Sequence, residues 1–141
     1  MEVAIYVETD IKDPRRGPGR YGYVIEFIKN GQAITREGFG QMQEATETRL
    51  TLTALAEAIG RLTKPCIIKI QTDCSSIKVG MNKGWVYEWQ RAGWKTKHGE
   101  DVKNADLWKA VFEKASIHAL SISDQANAYR TWLQEEIKKH G

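Results

Sequence analysis

The sequence is poor in the residues that build disulfide bonds or zinc sites. Its two cysteines, Cys66 and Cys74, form no CxxC pair and have no histidine at metal-ligand spacing. The three histidines, His98, His118 and His140, lie far apart along the chain and predict no zinc site. We therefore interpret both cysteines as free thiols in a reducing, cytoplasmic environment.

Long apolar segments are also absent from the sequence. No run of about eighteen apolar residues occurs, so we predict no membrane span. Residues 1–5 begin a strand-like pattern without the basic region and cleavage site of a signal peptide. Of the 141 residues, 41% are hydrophobic and 28% are charged, which is typical of globular proteins. We expect residues 1–141 to form a single domain.

The charge balance is mildly basic. The formal net charge is +3 and the sequence pI is about 8.8. This excess fits a nucleic-acid-binding protein, but many small enzymes share it. The position of the charges along the chain is therefore more informative than their sum.

Hydrophobic periodicity predicts an α/β fold. Alternating polarity and a turn signal at Asn30-Gly31 predict strands, and apolar residues at helical spacing predict helices. The order is β-β-β-α-β-α-α-β-α, which implies a mixed sheet with helices on both faces. The predicted strands are 3–10, 21–29, 32–39, 66–72 and 117–122; the predicted helices are 44–63, 75–82, 86–90, 106–114 and one that begins near residue 129.

Several motifs then give the chain a family resemblance. Residues 84–96 (GWVYEWQRAGWKT) contain W-x3-W-x4-W-K, and residues 102–108 read VKNADLW. Residues 17–22 (GPGRYG) follow the first strand, and Thr72-Asp73 follows the fourth. With these motifs the chain resembles ribonuclease HI over nearly its whole length. The resemblance implies a five-stranded sheet in the order 3-2-1-4-5.

The resemblance also implies a reaction. Ribonuclease H hydrolyses the RNA strand of an RNA–DNA hybrid with two divalent ions, Mg²⁺ or Mn²⁺, about 4 Å apart. Such ions prefer oxygen ligands, so several carboxylates must converge. The family uses four: one on the first strand, a glutamate on the first helix, one after the fourth strand and one at the final helix.

Two of these four carboxylate positions have candidates. On the first strand both Glu8 and Asp10 match, and residues two apart on a strand share a face; either of them, or both, could bind metal and act in catalysis. Asp73 is the candidate after the fourth strand, where open α/β sheets place their sites. Alternatively, Glu8 and Asp10 are solvated strand-end residues, and Asp73 caps the helix near residue 75.

The other two positions lack a clear acid. The family sequence R-M-E-L becomes Arg49-Leu50-Thr51-Leu52, so Thr51 replaces the helix glutamate. Glu47, one turn earlier, could reach the site, although we favour a solvated acid stabilised by the helix dipole. At the final helix, alternative alignments place Thr131 or Glu135 at the acid, and Asp124 is also close.

A basic, aromatic segment is the candidate nucleic-acid surface. Cations beside aromatic rings suit a phosphate backbone and a sugar face. The candidate residues are Trp85, Trp89, Arg91, Trp94, Lys95 and Lys97, with Lys83 and Lys103 nearby, and Arg16 in a second cluster with Lys12, Arg15 and Arg20. Alternatively, the tryptophans belong to the core and the lysines form a solvated rim. Glu47 falls where the family has asparagine and adds a charge that repels phosphates.

Three functional hypotheses remain open from the sequence. The first is a metal-dependent ribonuclease H with a rearranged set of acids at Glu8, Asp10 and Asp73. The second is a non-catalytic module that binds nucleic acid, with the RNA–DNA hybrid as the expected partner. The third is a protein-interaction scaffold, because a fold alone does not determine function.

Overall fold

The computed structural model describes residues 1–140. The strands are β1 (Glu2–Thr9), β2 (Gly17–Lys29), β3 (Gln32–Ala45), β4 (Ile67–Thr72) and β5 (Ala119–Ile122). The helices are α1 (Glu47–Gly60), α2 (Ser75–Asn82), α3 (Trp85–Arg91), α4 (Ala105–Lys114) and α5 (Arg130–Lys139). Within the described residues, none of these helices combines the length and the apolar character needed to cross a membrane.

The strands form one mixed sheet in the order β3-β2-β1-β4-β5. β1 pairs antiparallel with β2 and parallel with β4, while β3 and β5 are the edge strands. The predicted fold class and strand order are therefore confirmed. The parallel pairing aligns Val7 of β1 with Thr72 of β4, so the residues that follow these two strands come together at one edge of the sheet.

The hairpin β2–β3 is longer than the sequence pattern predicted. Residues 17–20, which precede the predicted strand 21–29, belong to β2, with a register irregularity between Gly17 and Gly19 where Pro18 lies. β3 continues to Ala45, so α1 begins at Glu47 instead of near residue 44. Long antiparallel pairing satisfies the backbone groups of these residues, and this tertiary pairing overrides the local turn signal.

Helices cover both faces of the sheet. Leu50, Leu55 and Ile59 of α1 are fully buried in the main core, which also contains the odd-numbered residues of β1, such as Ile5. On the other face, Leu133 of α5 packs in a smaller cluster with even-numbered strand residues. Successive strand side chains alternate between faces, so both layers derive from the same alternating pattern.

Candidate functional site

The site lies where β1 and β4 end. Glu8, the penultimate residue of β1, is 2% exposed and is therefore not a solvated strand-end residue. Asp73 directly follows β4, and its carboxylate is not the cap of the next helix, because Cys74 occupies the N-cap position of α2. The fold therefore brings Glu8 and Asp73 to the same crevice.

Lys12 binds Glu8 from the loop after β1. Its ammonium forms a hydrogen-bonded ion pair with Glu8 Oε1, and the Thr9 backbone N–H donates to the same oxygen at 3.0 Å. Lys12 Nζ also lies 3.8 Å from Glu47 Oε2. One lysine thus lies between two buried carboxylates, which stabilises the charged form of each.

Arg130, at the start of α5, lies beside Glu8 and Asp73. Its Nε lies 3.9 Å from Glu8 Oε2 and 3.7 Å from Asp73 Oδ2. Both of these oxygens are buried and have no hydrogen-bond partner among the described residues. Glu8 and Asp73 therefore face one common point, and the guanidinium of Arg130 is the cation beside it.

Glu47 is buried at this crevice, 7% exposed, so the expectation of a solvated acid is wrong. Its Oε1 accepts a 3.3 Å hydrogen bond from the Asp13 backbone N–H. Burial raises the pKa of Glu47, although this hydrogen bond and the charge of Lys12 act in the opposite direction. Lys12 lies between Glu47 and Glu8, so Glu47 is one of the acids of this site. Glu47 precedes Thr51 by one helical turn.

Thr51, where the family has the helix glutamate, and Asn127, shortly before α5, have neutral side chains in internal hydrogen bonds. Thr51 is 1% exposed, and its hydroxyl donates to the Glu47 carbonyl at 2.8 Å. Asn127 is 5% exposed, and its amide donates to the Val7 carbonyl at 2.7 Å. These groups support the backbone around the crevice and add no negative charge to it.

The candidate acids of the final helix lie elsewhere. Thr131, Glu135 and Asp124 are exposed, and within residues 1–140 none of them pairs with Glu8 or Asp73. Asn127, which the alignments did not place at this position, is the buried polar residue beside β1.

Asp10 lies one residue beyond the end of β1 and is paired with Arg20 of β2. The Asp10 carboxylate accepts hydrogen bonds from the Arg20 backbone N–H at 2.7 Å and from Arg20 Nε at 3.2 Å. Once the strand ends, alternation no longer determines which way a side chain points. Arg20 takes both Asp10 oxygens, and the prediction that Asp10 joins Glu8 in binding metal stays a prediction.

The carboxylate oxygens of the crevice are already close to cationic side chains. A magnesium ion needs carboxylate oxygens that converge and are free of other cations. Glu8 Oε2 and Asp73 Oδ2 converge, but Arg130 lies beside both, and Lys12 holds Glu8 Oε1. Across residues 1–140, no group of three or more acid, histidine or cysteine side chains is placed to hold a metal. This arrangement does not fit a pair of divalent ions.

A groove opens beside the crevice, between the first loop and the segment after α3. A cavity of about 430 Å³ is lined there by both polar and aromatic groups. Arg16 comes from the loop, Thr46 from the start of α1, Trp89 from α3, and Lys103 and Asn104 from the turn before α4. With the other lining residues, two cations, one acid (Asp13), four neutral polar side chains and two tryptophan rings (Trp89 and Trp108) surround one concave surface.

The predicted tryptophans divide between the core and the surface. Trp94 is 8% exposed and belongs to the core, Trp89 is half-buried at the groove, and Trp85 is exposed. The core interpretation of the tryptophans therefore holds for Trp94. The predicted cations Arg91, Lys95 and Lys97 are exposed and are not among the residues that line the groove, and Lys95 forms an ion pair with Asp101.

Sequence reasoning missed Arg130 and Asn127. A signal for Arg130 was present, because a cation in the first turn of a helix opposes the helix dipole and needs an acidic partner to offset it. Asn104 is the N-cap residue of α4, has a backbone φ of 63° and lines the groove. Its residue type was the sequence signal for this position. Asparagine is one of the few residues that tolerate this conformation.

The sheet order and the crevice at the ends of β1 and β4 define a ribonuclease H fold. LC9-RNase H1, a type 1 RNase H with the type 2 active-site motif, superposes with a TM-score of 0.78 at 23% identity, over 97% of this chain and 70% of that one. LC11-RNase H1 in complex with RNA/DNA hybrid superposes with a TM-score of 0.58 at 18% identity, over 99% of each chain.

The sequence comparisons identify the family. The RNase H family model matches residues 2–124. A ribonuclease H of Cupriavidus metallidurans is 37% identical over 121 residues, 86% of this chain and 79% of that protein. A ribonuclease H of Lachnoclostridium phytofermentans is 33% identical over 119 residues, 84% of this chain and 75% of that protein. This chain belongs to the RNase H family.

Proposed function

We propose that this protein binds RNA–DNA hybrids through the groove that Arg16, Trp89 and Lys103 line. The observation that carries this proposal is the convergence of two cations and two tryptophan rings, with a single acid, Asp13, on one concave surface beside the crevice. Cations attract the phosphate backbone, and an aromatic ring offers a face to sugars and bases. Because a relative by fold, LC11-RNase H1, is known in complex with an RNA/DNA hybrid, the hybrid is the first ligand to test.

The groove has groups suited to one phosphate of a strand. Asn104 and Thr46 supply neutral polar groups, and Arg16 and Lys103 supply positive charge. Arg49 connects this surface to α4, because it donates to Asn104 Oδ1 at 3.1 Å and pairs with Asp106 at 3.1 Å. Hydrogen bonds of this kind hold the polar groups in place before a ligand arrives, which reduces the entropy lost on binding.

The acids of the crevice would repel a nucleic acid if they were unpaired. Lys12 and Arg130 neutralise most of their charge, which lowers the repulsion that the phosphates would meet. Binding in the adjacent groove therefore does not depend on a divalent ion to screen the acids.

The test is fluorescence anisotropy with a labelled RNA–DNA hybrid in the presence of EDTA. We expect saturable binding that weakens with salt, and each of Arg16→Ala and Lys103→Ala should weaken it and lower the magnitude of the salt slope by about one. Lys139→Ala is the matched control, because Lys139 pairs with Glu136 on α5, away from the groove. Equal affinity in all four proteins, or no binding by folded protein, would refute the proposal.

A second candidate function is cleavage of the RNA strand. It is favoured by the match of the RNase H family model to residues 2–124, and it would require a divalent ion to displace Arg130 from Glu8 and Asp73. The same labelled hybrid, incubated with Mg²⁺ or Mn²⁺, tests this function. Cutting that disappears in Asp73→Asn would establish it, whereas an intact RNA strand bound by folded protein would leave binding as the function.

A further inference from the structure

We propose that Lys12 and Arg130 are resident counter-ions of the acidic crevice and exclude divalent metal from Glu8 and Asp73. In this interpretation the positive charge that metal ions would supply is part of the polypeptide. The proposal concerns the crevice and not the groove, so it goes beyond hybrid binding. It can be tested without any nucleic acid.

The position of Lys12 carries the first part of the argument. Its ammonium contacts Glu8 Oε1, lies 3.3 Å from Thr9 Oγ1 and lies 3.8 Å from Glu47 Oε2. The side chain of Glu8 is 1% exposed, so the carboxylate has little access to water. A buried carboxylate without a cation is strongly unfavourable, and Lys12 supplies that cation.

Arg130 carries the second part of the argument. Its Nε faces Glu8 Oε2 and Asp73 Oδ2 at ion-pair distances of 3.9 and 3.7 Å, beyond hydrogen-bond range. Both oxygens are otherwise unpartnered among residues 1–140. A metal ion bound directly to these two oxygens would have to displace Arg130. The side chain of Arg130 is 63% exposed and has room to move.

The net charge of the crevice favours the presence of arginine over the binding of a metal ion. Glu8, Glu47 and Asp73 carry three negative charges, and Lys12 and Arg130 carry two positive charges, which leaves one net negative charge. A divalent ion would meet the repulsion of both cations at close range. Loss of one cation doubles the net negative charge of the crevice and removes half of that repulsion.

The experiment is calorimetric titration of MnCl₂ into the metal-free protein. We expect no saturable binding to the wild type in the low millimolar range. Arg130→Gln should gain one site, with affinity at least about tenfold higher than the wild type. Arg130→Lys, which keeps the charge, should behave like the wild type, and Lys139→Gln, which removes a charge elsewhere on α5, should gain nothing.

A further variant locates the gained site. Asp73→Asn combined with Arg130→Gln should abolish it, because one of the two converging oxygens loses its charge. Thermal unfolding of each variant by circular dichroism shows whether it is folded, and the exposure of Arg130 makes loss of the fold unexpected. The proposal fails if the wild type binds Mn²⁺ as tightly as Arg130→Gln, or if folded Arg130→Gln gains no site. Neither result bears on hybrid binding, which EDTA experiments measure separately.

Discussion

Single residues in the crevice differ mainly in how their charge is compensated. Glu8 has a direct ion pair with Lys12, whereas Glu47 is 3.8 Å from the same ammonium and relies on one backbone N–H at 3.3 Å. Weaker compensation at similar burial explains why burial dominates at Glu47 and raises its pKa. Ionisation of Glu47 therefore opposes folding.

Glu47→Gln should increase stability relative to the wild type, and more so at neutral than at acidic pH. A raised carboxyl pKa means that the folded state binds more protons than the unfolded state between the two pKa values. The wild type therefore loses stability as pH rises through that window, from the ordinary glutamate value upward. The glutamine keeps an oxygen to accept from the Asp13 N–H and does not ionise.

Urea unfolding of both proteins at pH 4 and pH 7 checks this prediction. The advantage of Glu47→Gln should grow with pH. A variant that becomes less stable than the wild type as pH rises would show that ionised Glu47 is stabilising. Glu135→Gln, at an exposed position, is the matched control and should show little change.

At the level of elements, the start of α1 sets the position of Glu47 and Thr51. The Thr46 hydroxyl accepts from the Arg49 backbone N–H at 3.2 Å, and its backbone is extended, as an N-cap requires. The long strand β3 ends at Ala45, immediately before this cap. A helix that began three residues earlier, as the sequence pattern predicted, would place Thr46 inside the helix and remove this extended N-cap.

Thr46→Ala should lower the free energy of unfolding by about 1 kcal/mol, because the cap hydrogen bond is lost. Thr46→Ser keeps the hydroxyl and should stay close to the wild type. Urea denaturation of the three proteins measures the difference. A serine variant as unstable as the alanine variant would indicate that the methyl group of Thr46, and not its hydroxyl, stabilises this region.

At the level of the whole molecule, hydrogen bonds of Asn127 connect the segment before α5 to the first strand, β1. Its Nδ2 donates to the Val7 carbonyl, 120 residues earlier, and its Oδ1 accepts from the Tyr129 N–H at 2.9 Å. The first contact fixes the segment before α5 to β1, and the second sets the entry into α5. Arg130, the first residue of α5, depends on this attachment to reach Glu8 and Asp73.

Asn127→Ala should cost about 1–3 kcal/mol, because the buried Val7 carbonyl loses its partner. Asn127→Asp should cost more at pH 7, since a carboxylate oxygen would then face that carbonyl. Acid should restore the aspartate variant, because a protonated carboxyl can donate to Val7; its folded pKa is expected to be raised, so stability returns as pH falls.

Thermal unfolding between pH 4 and pH 7 separates these two variants of Asn127. The difference between the aspartate and alanine variants should shrink as pH falls. A constant difference would show that the Val7 carbonyl does not face the introduced carboxyl group. Asp124→Asn, at an exposed position in the same segment, serves as the control.

Local pattern was sufficient to predict the elements of this protein and their order. Alternation in β1, the turn at Asn30-Gly31 and the helical spacing of Leu52 and Leu55 are local signals, and the structure has a strand, a hairpin and a helix at those places. The motifs in residues 84–96 and 102–108 were enough to indicate the family. Element boundaries were less accurate, because the pairing of β2 with β3 extends past the local signals at residues 17–20 and 40–45.

The composition of the crevice was decided by tertiary structure. The sequence by itself determined that Glu8 and Asp73 follow neighbouring strands and that Thr51 replaces an acid. It could not determine that Asp10 turns to Arg20, or that Arg130 meets Glu8 from a helix that begins 122 positions later. Such contacts depend on where strands end and on how the last helix crosses the sheet. Those features arise from packing over long sequence separations, which no local pattern encodes.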